Sequence, residues 1–385
     1  MNFSVKTCCV FVIATFLYSC STNEEYVDIL DVTDHEILSQ TLNLPLNEFN
    51  YADVILPNTF FDNNLMQEDN EPATNRLRNR GATLGRVLFY DKALSKNNTI
   101  SCASCHDQAK SFSDDKKLSV GFEGGLTARN SMSLANAKFY RNGRFFWDER
   151  AASLEDQVLI PIQDHIEMGL TLSELETKLN SKRIYKILFK RAFGDTIVTR
   201  QAIARGLSQF VRSMVSYQSK FDEGLAQTND PRRPFNNFTN SENRGKQLFF
   251  SPETNCAQCH TTAAFIGDRA RNNGLDAVLT DVGVGGITGS INDFGEFKVP
   301  SLRNIEVTAP FMHDGRFTTL EQVIEHYNSG VQDSQYLDDR LRTRNGVRRL
   351  NLSASDKAAL KDFLATLTDR FFLTDEKFSS PFKSD

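Results

Sequence analysis

Two five-residue runs, Cys102-Ala-Ser-Cys105-His106 and Cys256-Ala-Gln-Cys259-His260, carry the densest chemistry in the chain. A pair of cysteines three positions apart, followed at once by histidine, is the attachment pattern of c-type haem. The two sulfurs sit about one helical turn apart, so they can form thioethers with the two vinyl groups on one haem edge. The next residue then brings an imidazole beneath the iron as its proximal ligand. His106 and His260 take that role, with Cys102, Cys105, Cys256 and Cys259 as anchors. Two Cys-x-x-Cys pairs would also suit a four-thiolate zinc site, and in an oxidising compartment each pair could close as a disulfide. Against both stand the 154 positions between Cys102 and Cys256 and the histidine that each pair carries.

The elements that must hold these runs repeat with them. Gly85-Arg-Val-Leu-Phe-Tyr90 precedes the first motif by a short loop, and Gly245-Lys-Gln-Leu-Phe-Phe250 precedes the second. The same order, an amphipathic helix ending in Leu-Phe-aromatic, a loop and then the cysteines, predicts two copies of one domain type. Apolar residues at helical spacing predict further helices over Leu172–Leu179, Tyr185–Phe193 and Arg200–Tyr217. Extended alternating runs are scarce, so the expected fold is mainly α, with at most a short β-ribbon. The Asn-, Thr- and Pro-rich stretch 226–240 reads as a linker and the Gly-rich stretch 283–295 as a mobile loop. The latter lacks the Gly-Lys-Ser/Thr ending of a phosphate loop.

The chain is long enough, at 385 residues with 40% hydrophobic and 24% charged, for two domains with cores of their own. This composition excludes a disordered, collagen-like or coiled-coil chain. A net charge of −5 without a long basic tract argues against nucleic-acid binding. The other three of its seven cysteines (Cys8, Cys9 and Cys20) lie in the first twenty residues. There Lys6 and the apolar run from Cys8 to Tyr18 resemble a secretory signal peptide, too short to span a bilayer. The run ends in Leu17-Tyr18-Ser19-Cys20, similar to a lipobox in which the cysteine becomes the lipidated first residue. The expected organisation is therefore a lipoprotein signal over 1–20, an acidic stalk and wrap over 21–74, and haem domains over 75–235 and 236–385. An address in the periplasm or cell envelope, anchored by lipid, suits covalent haem, which is attached outside the cytoplasm.

From about Gly81 to Phe363 the motifs occur in an order that resembles the bacterial dihaem cytochrome c peroxidases and their MauG-like relatives. They include Ser119-Val-Gly-Phe122, Arg129-Asn130-Ser131, Phe146-Trp147-Asp148, Pro161-Ile162-Gln163 with Glu167-Met168, Pro300-Ser-Leu-Arg303-Asn304, Thr308-Ala-Pro310-Phe-Met-His313-Asp-Gly315 and Leu320–Tyr327. The resemblance implies two cytochrome-c-like haem domains in tandem, packed about one Ca²⁺. It implies a peroxide site at the haem on His106, with Glu167 as distal acid/base and Gln157 and Pro161 lining the pocket. Phe122 matches a position where classical members carry a histidine that closes the iron. A phenyl ring cannot ligate, so an open site is expected.

Trp147, the only tryptophan of the chain, matches the relay between the haems. Asn130, Thr308 and Pro310 match the calcium ligands, an amide oxygen and two carbonyls of the hard donor type that calcium takes. At the second haem the distal ligand matches Tyr327, as in the MauG-like branch. His326 and Met312 are rivals, though adjacent helical residues point ~100° apart and only one of His326 and Tyr327 can face the iron. His313 is expected near that haem, and His35 and His165 at the surface.

The function implied is reduction of hydrogen peroxide to water with electrons from a small donor protein, a cytochrome c or a cupredoxin. The alternative is a MauG-like oxidase that acts on a protein or small molecule through a high-valent intermediate. A non-catalytic dihaem electron carrier is the third option. The resemblance leaves room for a homodimer.

Overall fold

The computed structural model describes residues 32–60 and 63–383. The signal segment and Cys20 lie outside the described residues. The structure is mainly α, and two helix crossings organise it. In the first, α1 (Asn79–Tyr90) packs on α2 (Arg200–Ser213). In the second, α3 (Asn240–Phe249) packs on α4 (Ala354–Ala365).

The repeated glycines explain how close these crossings are. A Cβ placed on Gly85 would lie 2.0 Å from the Gly206 carbonyl oxygen of α2, and one on Gly245 would lie 1.8 Å from that of Ala359 on α4. Any side chain there would push the helices apart, so each half carries glycine where the backbones touch. Side-chain oxygens hold three of the four helix starts: Thr199 before α2, Thr239 before α3 and Ser353 before α4 each accept from the third backbone N–H. At α3, Glu242 also reaches back to Thr239, closing a capping box.

Two apolar clusters follow the crossings. One gathers Leu84, Val87, Leu88 and Phe89 of α1 with Ile203, Leu207 and Phe210 of α2. The other gathers Leu248 and Phe249 of α3 with Leu360, Phe363 and Leu364 of α4. Leu38, Leu42 and Tyr51 from the N-terminal wrap join the first cluster, as do Phe372 and Phe378 from near the C-terminus. The two ends of the described chain also pair at the bridge between Leu42 and Phe382. His35 is half-buried in the short helix Val32–Ser39 rather than free on a stalk.

The three intervening helices begin and end within a few residues of expectation, at Leu172–Asn180, Arg183–Phe193 and Arg200–Ser213. A two-stranded ribbon, Arg342–Thr343 with Gly346–Val347, is the only sheet among the described residues. Two segments differ from expectation. The stretch read as a linker begins inside the helix Lys220–Thr228, and its Phe235 and Phe238 are buried in the second cluster. The Gly-rich stretch folds into the short helix Gly285–Thr288 and a 3-10 turn at Ile291–Asp293, and Gly283 pairs with Glu296. Both are tied down by tertiary contacts that polar, Gly-rich composition does not encode.

Candidate active site: two cavities behind the cysteine-histidine turns

Each Cys-x-x-Cys-His run folds as one tight turn with the same hydrogen bonds. The Cys105 and His106 N–H groups donate to the Cys102 carbonyl at 3.2 and 3.0 Å, and those of Cys259 and His260 donate to Cys256 at the same distances. The imidazoles are also held alike. His106 Nδ1 lies 2.7 Å from the Phe112 carbonyl oxygen, and His260 Nδ1 lies 3.3 Å from that of Phe265. Phe112 and Phe265 both sit in the left-handed region, at φ +59° and +51°, which turns their carbonyls back toward the histidines. A ligating histidine is oriented in this way, its second ring nitrogen occupied by a carbonyl so that Nε2 is left for the metal. Burial also lowers both imidazole pKa values, that of His260 to about 4, and so favours the neutral ring that iron requires.

The first turn lines a cavity of about 710 Å³ and the second a cavity of about 1730 Å³, both counted with the solvent at their open mouths. The two cysteine pairs line separate cavities and all four thiols are free, so neither a shared zinc site nor disulfides form here. Before haem is attached, burial pushes the Cys102 thiol up to about 12 and those of Cys105 and Cys259 to about 11.

The larger cavity shows how it fits a haem. Arg271 Nε, Lys298 Nζ and Arg348 Nε are buried without a hydrogen-bond partner, and all three residues line it. The rest of the Arg271 guanidinium is held by Asp268 and Asp338, and burial pushes the Lys298 amine well below its usual range. The propionates of a haem would supply the acceptors these three nitrogens lack and hold Lys298 charged. No motif pointed to these three residues; their signal is visible only as missing partners in the folded chain.

The first cavity brings together Cys102, Cys105, His106, Gln157, Pro161 and Glu167. Glu167 is carried by the turn that follows Asp164, whose carboxylate accepts the Ile166 and Glu167 N–H groups. Burial and the neighbouring Asp164 charge raise the Glu167 pKa to about 7, with Arg150 opposing. Facing this turn, Ser119, Val120 and Gly121 form part of the wall. Phe122 itself is turned out of the cavity: its ring fills the space over Gly169 and its N–H donates to the Glu167 carbonyl. Met168, named in the sequence only as part of its motif, also lines the cavity. His165 is exposed.

The second cavity gathers Cys256, Cys259, His260, Tyr327, Met312, His313, Trp147, Asn130, Thr308 and Pro310. Residues 326–330 form a π-helical turn after the helix Leu320–Glu325. Such wide turns often mark functional sites. Here Tyr327 lines the cavity, while His326 Nε2 lies 3.1 Å from the Asn273 carbonyl oxygen and its ring packs near Phe317. Burial raises the Tyr327 phenol to about 12, so it stays neutral unless a metal takes the oxygen. Asn273 Nδ2 donates to Met312 Sδ at 3.4 Å, which occupies that thioether. His313 stacks on Phe297 with ring centroids 3.7 Å apart.

Trp147 Nε1 donates to the Asn130 carbonyl at 2.8 Å, and the Asn130 N–H donates to the His313 carbonyl at the same distance. Trp147, the expected relay, is therefore tied to Asn130, one of the expected calcium residues. Next to them Arg129 bridges Asp148 and Asp281.

Comparison with known proteins agrees with this architecture. The family model of di-haem cytochrome c peroxidase matches residues 79–230. The chain is 31% identical over 299 residues to the methylamine utilization protein MauG of Methylophilus methylotrophus, covering 77% of this chain and 84% of that protein. It is 35% identical over 248 residues to the cytochrome c551 peroxidase of Nitrosomonas europaea, covering 63% and 71%. Among solved structures, a MauG-like protein associated with microbial copper homeostasis aligns with a TM-score of 0.72 and 32% identity, over 81% of this chain and 96% of that one. Relatives that match across both halves, each half closing a cavity with its own Cys-x-x-Cys-His turn, place the chain in the di-haem cytochrome c peroxidase and MauG family, with two c-type haems.

Proposed function

We propose that this protein is an exported dihaem peroxidase that reduces hydrogen peroxide to water, drawing electrons from a small redox protein through its C-terminal haem. The observation that carries the reading is Glu167, a half-buried carboxylate on the wall of the His106 cavity with a pKa raised to about 7. The haem held by Cys102, Cys105 and His106 would supply an iron centre that accepts peroxide and delivers electrons to it. Glu167 would take the proton from the near oxygen and return it to the departing one, a transfer that works best when the pKa lies near the operating pH. Gln157 and Pro161 would shape the wall beside it.

Trp147, hydrogen-bonded to Asn130, would relay electrons toward that site. Asn130, Thr308 and Pro310 would hold one Ca²⁺ through an amide oxygen and two backbone carbonyls. In the mature protein Cys20 would carry the lipid that ties it to the membrane in the cell envelope. Steady-state turnover of peroxide with reduced cytochrome c, in wild type and Glu167→Gln, tests the reading. Turnover that the variant leaves intact would remove Glu167 from it.

Tyr327 favours a second reading. A tyrosinate on the C-terminal haem would stabilise oxidised iron and suit a MauG-like oxidase of a protein or small molecule. Single-turnover oxidation of candidate substrates, compared with the steady-state rate, separates the two.

A further inference from the structure

Beside Trp147 the chain builds a second aromatic site that the reading above does not use. Trp147 and Glu149 share the tight loop closed by the bridge between Phe145 and Ala151, and Tyr140 stands just before it in the chain. Tyr140 is fully buried, and its hydroxyl donates a hydrogen bond to Glu149. Glu149 is also buried, at 5% exposure, and its other oxygen accepts from Asn142 Nδ2 at 2.5 Å. No guanidinium or ammonium group hydrogen-bonds to this carboxylate, although the Arg144 Nε donates to its backbone carbonyl at 2.8 Å.

Glu149 occupies the left-handed region at φ +56°. That conformation is strained for a residue with a Cβ, and such strain clusters at functional sites. Lys298 links the pair to the electron path. Its backbone N–H donates to the Trp147 carbonyl at 2.8 Å, its Nζ lies 2.8 Å from the centroid of the Tyr140 ring, and it lines the C-terminal cavity.

A buried phenol is hard to oxidise unless its proton has somewhere to go, because the cation left by electron loss alone is strongly acidic and unsolvated. A carboxylate already accepting from the hydroxyl removes that obstacle. We infer that Tyr140, with Glu149 as its proton acceptor, is a second redox-active aromatic that holds one oxidising equivalent close to Trp147. In the step, the Tyr140 side chain gives one electron to the site oxidised by peroxide and its O–H bond breaks. The proton forms the new O–H bond of the Glu149 carboxyl, and a neutral tyrosyl radical remains. The electron is one of the two that peroxide needs to become water. An electron from the donor protein later restores the phenol as Glu149 returns the proton. This inference rests on the peroxide-reduction reading for its oxidant.

The test is freeze-quench EPR of the ferric dihaem protein mixed with stoichiometric hydrogen peroxide, with peroxide loss measured in the same samples. A narrow organic radical that sharpens on ring deuteration of tyrosine and vanishes in Tyr140→Phe is expected. Glu149→Gln preserves an acceptor for the hydroxyl but cannot take the proton, so its radical yield should fall at least tenfold while Soret and circular dichroism spectra stay those of wild type. Peroxide consumed with a tyrosyl signal that survives in Tyr140→Phe, or with none, overturns the inference and leaves the peroxidase reading standing. Peroxide left unconsumed overturns the peroxidase reading instead. In that event photo-oxidised ruthenium tris-bipyridine supplies the oxidising equivalent to the same holoprotein, and a tyrosyl radical absent from wild type, or present in Tyr140→Phe, overturns the assignment of Tyr140.

Discussion

Glu167→Gln should make the protein slower and, above neutral pH, more stable. A carboxyl whose pKa rises from 4.5 to about 7 on folding holds its proton more tightly in the native state than in the unfolded one. Between those values the native state binds more protons, so stability falls as pH rises. The full shift, at 1.36 kcal/mol per pKa unit, corresponds to at most about 3 kcal/mol above pH 7 and to nothing below pH 4.5. Since Glu167 retains some exposure, we expect about 1–2 kcal/mol. Gln fills the same space and keeps an amide in place of the charge, so the variant should gain that amount at pH 8 and match wild type at pH 4. The covalent haems stay attached in both states and do not confuse the comparison.

The assay is urea denaturation followed by circular dichroism and the Soret band at both pH values, paired with stopped-flow peroxide reaction. In wild type the reaction rate should fall as pH drops through about 7, as the base becomes protonated. In the variant it should be flat and on the order of 10²-fold lower. A variant less stable than wild type at pH 8, or a stability difference that does not change between pH 4 and 8, would refute the electrostatic argument. An unaltered peroxide rate would refute the catalytic one.

Four other outcomes are expected. Trp147→Phe should leave the first reaction with peroxide intact but slow re-reduction by the donor at least about tenfold, equivalent to 1.4 kcal/mol on the barrier, read by double-mixing stopped flow. Tyr327→Met should raise the midpoint potential of the C-terminal haem by on the order of 0.1 V within the ≈0.8 V that axial ligands span. His326→Ala should leave it unchanged, and spectroelectrochemistry of both variants decides between the neighbours. Arg303 is fully buried and pairs through two nitrogens with Asp222 at 2.5 and 2.8 Å, so Arg303→Met should cost about 3–5 kcal/mol by stranding the carboxylate, visible in urea denaturation. If calcium binds as proposed, its presence at a hundred times Kd contributes about 2.7 kcal/mol, and EGTA should lower Tm by roughly 5–10 °C, reversibly on adding calcium.

Local chemistry is what the sequence by itself determined. The Cys-x-x-Cys-His turns were legible because thioether spacing and the adjoining imidazole are properties of five consecutive residues. The duplicated helices were legible because Gly85 and Gly245 stand at the same point of a repeated pattern, and the structure shows why: both lie where two helix backbones meet. Glu167, Trp147 and Tyr327 were found through ordered motifs rather than through their own chemistry, since a lone Glu, Trp or Tyr has no local signature.

Tertiary structure alone decided which side chains face which cavity. Phe122 sits in the expected loop, yet its ring is drawn to the space above Gly169. His326 and Tyr327 are neighbours, and only the π-helical turn and the Asn273 carbonyl separate their directions. The buried nitrogens of Arg271, Lys298 and Arg348 that lack a hydrogen bond, and the pair Tyr140–Glu149, come from segments far apart or from a strained loop, and no periodicity records them. Burial and partnership belong to the folded chain as a whole: Lys298 reads as a surface residue until the fold sets its Nζ over the Tyr140 ring with no hydrogen bond.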